Sequence, residues 1–508
     1  MTEPGGAPST HVDVLVVGAG LSGIGAACHL TMECPDKSFA ILESREAIGG
    51  TWDLFRYPGI RSDSDMFTLG FPFRPWPDAK TIADGPSILA YIKDTAREYG
   101  VEDKIRFHHR AIRASWSSDD ALWTVDVERS DIGETVQFTC NFLFMCSGYY
   151  RYDEGFTPEF AGRERFRGQV IHPQHWPDDL DYAGKRIVVI GSGATAVTLI
   201  PSMADEAAHV TMLQRSPTYV VSLPAIDPLA EPLKRWLPNR VAHSMLRWKN
   251  VLLSMASFQL SRRRPHLMKA IIRKGLEKGL PADFDIDTHF KPRYNPWDQR
   301  LCLVPDGDLF KVLRDGRASV VTDTIENFTE TGILLASGRE LEADIIITAT
   351  GLQMLAFGGL SLAVDGDEVK LSEKVGYKGM MLSDVPNFAA AIGYTNASWT
   401  LKCDLICQYV CRLLKHLDRV GMRQVTPRWR EATLPDRPFV DLTSGYVLRS
   451  VQDFPKQGER PPWRLFQNYI RDVLMIRRGS LEDDSIEFSN PRTRTTQPEP
   501  PRTERLSA

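Results

Sequence analysis

At 508 residues the chain has room for two or three domains of about 100–200 residues each. Its 61 Lys and Arg nearly balance 65 Asp and Glu, and a net charge of −4 excludes a nucleic-acid partner drawn by overall charge. The cysteines at 28, 34, 140, 146, 302, 403, 407 and 411 form no C-x-x-C pair, and no apolar run reaches the roughly 18 residues of a spanning helix. With no secretory signal ahead of the first strand, a reducing, cytoplasmic setting is expected, with no metal. Residues 1–10 and 490–508, the latter rich in Pro, Thr and Arg, are expected to be disordered.

Residues 12–17 read as a buried strand running into Gly18, Gly20 and Gly23, with Ser22 inside the turn. Ala26, Ala27 and Leu30 continue as a helix, and a second strand at 39–42 ends at Glu43, 20 residues after Gly23. This βαβ setting gives the glycine pattern its meaning. The turn lets backbone N–H groups reach a pyrophosphate at the helix's positive end, and a carboxylate at position 43 can accept from a ribose hydroxyl. FAD is the dinucleotide expected there. Residues 49–63 carry Trp52 and no cysteine, unlike the dithiol segment of two-domain disulfide reductases. Three alternating runs from Ala111 to Cys140, broken at 117–120 and 131–133, predict a β-meander, followed by a separate buried strand that ends before Gly148. A connecting stretch then holds Phe166, Gly168, His172 and Trp176.

The scheme repeats. A strand at 186–190 enters Gly191, Ser192, Gly193, Ala194, Thr195 and Ala196, and a strand at 210–213 leads to Arg215 and Ser216. Arg215 stands where the first unit has Glu43. A carboxylate there would repel a 2′-phosphate, whereas a guanidinium can hold it bidentately, so NADPH is expected. A hairpin turning at Ser337 and Gly338 precedes an apolar strand from Asp344. The fold class predicted is α/β, with two Rossmann-like dinucleotide-binding domains, the second inserted into the first. The expected divisions are an FAD part at 11–155, a linker at 156–181, an NADP domain at 182–343 and a second FAD part at 344–489.

Residues 224–292 form a further insert. Between Glu231 and Lys278 there are 12 Lys and Arg against two Glu, with Leu246, Trp248, Leu252, Leu253, Met255 and Phe258 interleaved. A helical lid on the NADP domain is the preferred expectation, and peripheral membrane contact the secondary one. Residues 394–400 lead into a helix expected to run to about Leu417, on which Cys403, Cys407 and Cys411 recur every fourth residue. With no histidine or acid on their face they read as small buried hydrophobes.

Residues 49–63 and 166–177 together resemble the two signatures of Baeyer–Villiger monooxygenases, [A/G]-G-x-W-x-x-x-x-[F/Y]-P-[G/M]-x-x-x-D and F-x-G-x-x-x-H-x-x-x-W-P, with every specified position met. The resemblance implies an FAD- and NADPH-dependent enzyme that uses O2, through a C4a-peroxyflavin, to turn ketones into esters, and often oxidises sulfides and thioamides. It places Gly50, Thr51, Trp52 and Leu54 along the flavin with Ala111 nearby, and Arg61, Ser62 and Asp63 toward the nicotinamide nucleotide. Arg300 matches the essential arginine that stabilises the peroxide and the oxyanion, with Asp63 holding it. His172 and Trp176 would govern domain orientation. One position departs: Gln299 stands where the family usually has a lysine on the 2′-phosphate, which shifts NADPH preference onto Arg215. The rival readings are an N- or S-oxygenating flavin monooxygenase, whose related fingerprint usually ends in Tyr or Phe in place of Trp176, and a flavin- and NADP-binding electron carrier or membrane sensor.

Overall fold

The structure is a computed structural model that describes residues 10–440 and 443–491, so the expectation of disorder at both ends lies outside it except at Thr10, Asn490 and Pro491. Two sheets organise the chain. Strand Thr10–Val17, whose Val14, Leu15 and Val16 are wholly buried, pairs in parallel with Phe39–Leu42 on one side and with Glu134–Met145 on the other. The meander is present as His109–Ser117, Leu122–Arg129 and Glu134–Met145, all antiparallel. The separate strand expected after Cys140 is not: its residues continue Glu134–Met145. The N-terminal part of this strand pairs with the meander and its C-terminal part with Thr10–Val17 and Phe388–Ala390. Alternating residues 134–140 face one covered side, whereas 142–145 are buried on both, so the pattern changes without a break in the chain.

The second sheet has five parallel strands, in the order Ala318–Thr322, His209–Gln214, Arg186–Ile190, Ile345–Thr348, Gln169–Ile171. Two of these lie outside the expected NADP segment. Gln169–Ile171 falls in the expected linker, and Ile345–Thr348 in the expected returning FAD part. Runs of only three or four residues carry no period that says which sheet takes them, and only strand pairing decides it. The chain crosses between the sheets twice, and the crossings Tyr150–Gly155 and Leu352–Met354 pair antiparallel as one ribbon.

The helix Leu21–Glu33 packs on Trp399–Val420, which ends at Gly421 in the left-handed region. Cys403, Cys407 and Cys411 are buried there, and no group of metal-ligating side chains occurs among the described residues. Burial pushes the Cys403 thiol up to about 12, as befits an inert packing residue. The two helices are also tied by His29, whose ring nitrogens lie 2.8 Å from Asp404 and 2.9 Å from Glu33.

The insert is helical, as expected, but it is not confined to the second unit. Helix Pro265–Gly279 buries Met268, Ile272 and Leu276 in that unit's core. Helix Asn239–Arg263 instead reaches the first unit. There the buried Arg247 donates to the carbonyls of Phe67 and Gly70, each at 2.9 Å, and Asn250 donates to Asp65 at 2.8 Å. The insert's charge count could not reveal this, because Arg247 is one of the 12 basic residues and looks like any other. No helix among the described residues is long and apolar enough to cross a membrane.

Candidate active site

A cleft of about 1450 Å³ runs from one glycine turn to the other. At the first turn, Gly18 has φ +106°, and a Cβ there would lie 2.7 Å from the Cys146 carbonyl oxygen. A Cβ on Gly23 would lie 1.8 Å from the Gly18 oxygen, which no side-chain rotation relieves. Only glycine permits this closeness of helix, turn and strand. Glu43 is buried and accepts from the N–H of Ala19 at 2.8 Å and of Arg45 at 3.0 Å. Burial raises its pKa, and the two N–H bonds oppose that rise. It therefore braces the turn while still lining the cleft.

Ser22 accepts from Trp399 Nε1 at 2.8 Å, which places the Trp399 ring and the start of its helix beside the turn. Gly18, Gly20, Glu43, Gly50, Thr51, Trp52, Leu54, Asp63 and Ala111 all line the cleft, whereas Gly23 sits behind it.

The second turn is more open. Gly191 has φ +135° with the Ala349 oxygen 2.3 Å from its absent Cβ, but nothing lies within 4 Å of a Cβ on Gly193. Ser192, Ala194, Thr195, Arg215 and Ser216 line the cleft, while Ala196 is fully buried beneath it. Arg215 is exposed and makes no ion pair among the described residues. Ser62 also lines the cleft, but its hydroxyl donates to the Ser64 carbonyl at 2.7 Å. Arg61 pairs with Asp308 through Nη1 at 2.5 Å, and its buried Nη2 has no partner, leaving a donor free at the cleft wall.

Between the turns, Arg300 from the second unit meets Asp63 from the first. Arg300 Nη2 donates to Asp63 Oδ1 at 2.7 Å, and Nε lies 2.7 Å from Oδ2 in the same ion pair. Asp63 is the main cause that raises the Arg300 pKa further above its ordinary value, so the guanidinium is a fixed positive charge. Its Nη1 makes no hydrogen bond among the described residues and remains available to an acceptor.

Around it stand Tyr149, Tyr150 and Tyr446, with the Tyr149 and Tyr150 hydroxyls 3.2 Å apart and the Tyr149 ring 5.0 Å from Trp399. Burial holds the Tyr150 and Tyr446 phenols well above their ordinary pKa, so they stay neutral donors. Sequence reasoning missed all three tyrosines. The available signal was weak: Tyr149 and Tyr150 follow the carboxyl end of a Rossmann-type strand, where ligands gather. Tyr446 arrives from some 300 residues away and carried no signal.

Phe166, Gly168, His172 and Trp176 do not line the cleft. His172 and the adjoining Gln174 fasten the two crossings, while Trp176 packs half-buried on the second unit's core. His172 Nε2 donates to the Gly351 carbonyl at 3.2 Å and Nδ1 accepts from the Gln174 N–H at 3.2 Å, while the Gln174 amide donates to the carbonyls of Arg151 and Tyr152. Burial lowers the His172 pKa, which keeps the ring neutral and in this one tautomer. Phe166 packs on Phe328, and a Cβ on Gly168 would meet the Asp344 oxygen at 2.3 Å.

Two glycine turns facing one cleft, with an arginine–carboxylate pair between them, define a two-nucleotide α/β enzyme. The flavin-binding monooxygenase-like family matches residues 12–424, and the chain belongs to it. It is 57% identical to the FAD-containing monooxygenase EthA of Mycobacterium tuberculosis over 94% of this chain and 98% of that protein. It is 48% identical to the probable FAD-binding monooxygenase AlmA of Acinetobacter baylyi, over 94% and 96%. In fold it is similar to an oxidized steroid monooxygenase bound to NADP (TM-score 0.74, 22% identity, covering 95% of this chain and 100% of that one). It is also similar to cyclohexanone monooxygenase in an open form (TM-score 0.70, 18% identity, with the same coverage).

Proposed function

We propose that this flavin monooxygenase uses NADPH and O2 to insert oxygen beside ketone carbonyls, giving esters, and that sulfides and thioamides are further substrates. One oxygen atom enters the product, the other leaves as water, and NADPH supplies the two electrons. The observation that carries the reading is Arg300 paired with Asp63 across the two units, through one hydrogen bond and a second close charge contact, with one guanidinium nitrogen left free in the cleft. The residues fit the two cofactors: the first turn is a cradle that only glycines permit, the second ends in an unpaired arginine, and Arg61 Nη2 is an unsatisfied donor between them. Glu43 would hold the FAD ribose, Gly18, Gly20 and Gly50 its pyrophosphate side, and Thr51, Trp52 and Leu54 its ring. Arg215 and Ser216 would hold the NADPH 2′-phosphate.

Bound FAD, once reduced, supplies the activation of O2; the rest is orientation, charge and exclusion of water. Asp63 fixes the plane of the guanidinium. Arg300 then faces the negative charge that develops on the substrate's carbonyl oxygen, where a pre-aimed donor contributes most. Tyr149, Tyr150 and Tyr446 wall the substrate side, and the neutral phenols of Tyr150 and Tyr446 can donate to that oxygen. His172 sets the angle between the units without touching the reactants.

A reading restricted to S-oxygenation would leave the free guanidinium nitrogen without a developing carbonyl oxyanion to meet. The test is a panel of linear ketones, cyclic ketones, aryl sulfides and thioamides, with NADPH and air. Ester formation from at least one ketone class is expected, and sulfoxides with no ester from any ketone would overturn the Baeyer–Villiger reading.

A further inference from the structure

We propose that the outer face of helix Asn239–Arg263, with Trp236 just ahead of it, docks on an anionic lipid bilayer. The helix is apolar on two sides. One side is buried through Ala242, Leu246 and Val251. The other carries Val241, Met245, Trp248 and Leu252, all exposed and spaced four, three and four residues apart, a stripe about 16 Å long. Trp236 is 80% exposed. Beyond Trp248, whose ring lies 5.7 Å from Tyr469, the exposed Ile470 and Leu474 extend the apolar surface. Isolated exposed apolar residues are ordinary, but a stripe on an outward helix face that includes one tryptophan, with a second exposed tryptophan just ahead of the helix, marks an interaction surface.

Charge identifies the occupant. Residues 231–278 carry +10 in a chain of net −4, so the remainder carries −14 and the insert is a positive pole. Some of its basic residues are spoken for within the protein: Lys249 by Asp227, Arg262 by Asp298, and Arg273 by Glu277 and Asp287. Arg235, Arg240, Arg263 and Arg264, flanking the stripe at both ends, are exposed and make no ion pair among the described residues. A second copy on the same face would oppose like charges across a two-fold axis. The C-terminal residues 492–508 carry four Arg against two Glu and one large apolar side chain, so they complement neither the charge nor the stripe. Anionic headgroups over acyl chains complement both, with tryptophans at the interface between them.

The experiment is co-sedimentation of the FAD-loaded protein with vesicles of phosphatidylcholine alone or mixed with phosphatidylglycerol, at low salt and at about 0.5 M salt. Binding to the mixed vesicles, weakened by salt, is expected. Trp236→Ser combined with Trp248→Ser and Leu252→Ser should weaken it at least about tenfold, with flavin content unchanged. Trp236→Ser alone, at a side chain almost free of protein contacts, gives a smaller loss and guards against misfolding of the triple variant. The proposal is overturned if the protein stays in solution with the mixed vesicles, or if both variants bind as the wild type does. It is equally overturned if the stripe variants convert a dimer to a monomer while vesicle binding is absent, which would make a second copy the occupant.

Discussion

The two glycine turns have the same strand–turn–helix plan and differ in how much protein surrounds them. The first is packed from behind by Gly23 against Gly18, braced by Glu43 on Ala19, and flanked by Trp399 from a distant helix. The second has open space at Gly193 and an exposed, unpaired Arg215. The first is thus pre-organised and enclosed, the second accessible. That difference suits a cofactor that stays and a coenzyme that comes and goes with each turnover, which is how we read FAD and NADPH. It also shows that one motif can be spent on retention or on exchange, according to what packs behind it.

The harshest test of the enclosed turn is Gly23→Ala. A Cβ 1.8 Å from a backbone oxygen forces helix and strand apart, so complete loss of bound flavin is expected. The control is Gly275→Ala, where nothing lies within 4 Å of the new Cβ, and it should retain flavin fully. Flavin absorbance per protein reads both, and a flavin-replete Gly23→Ala would refute the packing argument.

Next in size is Arg300→Ala, at the point where the two units meet. Losing a donor aimed at developing charge costs about 2.7–4 kcal/mol, or roughly a hundredfold to a thousandfold in oxygenated product. Both turns remain intact, so reduction by NADPH should persist and hydrogen peroxide should replace ester. Stopped-flow reduction followed by product analysis on one sample separates these steps. Ester formed at near wild-type rate would remove Arg300 from the chemistry.

A third test uses pH and concerns the backing of the first turn alone. Burial by itself would lower the His29 pKa, but its bonds to Asp404 and Glu33 outweigh that and raise it to about 9. An unfolded imidazole titrates near 6.5, so the charged ring's contribution is full below that pH and is lost as pH rises through about 9. Unfolding free energy should fall by about 2–3 kcal/mol between roughly pH 7 and 10 from this group. His29→Gln should be less stable at neutral pH and show a shallower alkaline slope. An unchanged slope in denaturant titrations would mean that other groups set it. Helix Ala194–Met203, behind the second turn, has no charged residue, so the effect has no counterpart there.

The smallest effect is expected at the open turn. Arg215→Ala removes one charge-assisted contact at an exposed site, about 1.5–3 kcal/mol, so Km for NADPH should rise roughly tenfold to a hundredfold while NADH is nearly unaffected. Equal losses for both coenzymes would show that Arg215 supports structure and reads no phosphate.

Much of this was legible in the sequence because the information was local. A glycine pattern between a buried strand and a helix needs only about 30 residues to be read, and Glu43 and Arg215 lie at fixed distances from their turns. The inserted order of the two units followed from finding the plan twice.

What the chain alone left open was non-local. The sheet that takes Ile345–Thr348 is chosen by its partners, not by its own four residues. The tyrosine wall assembles from positions 149, 150 and 446, which only folding brings together. The basic insert's composition was plain, but composition does not say which face is covered. Tertiary packing buried Ala242, Leu246 and Arg247 and left Met245, Trp248 and Leu252 facing out, because a helix can bury only one side against a single neighbour.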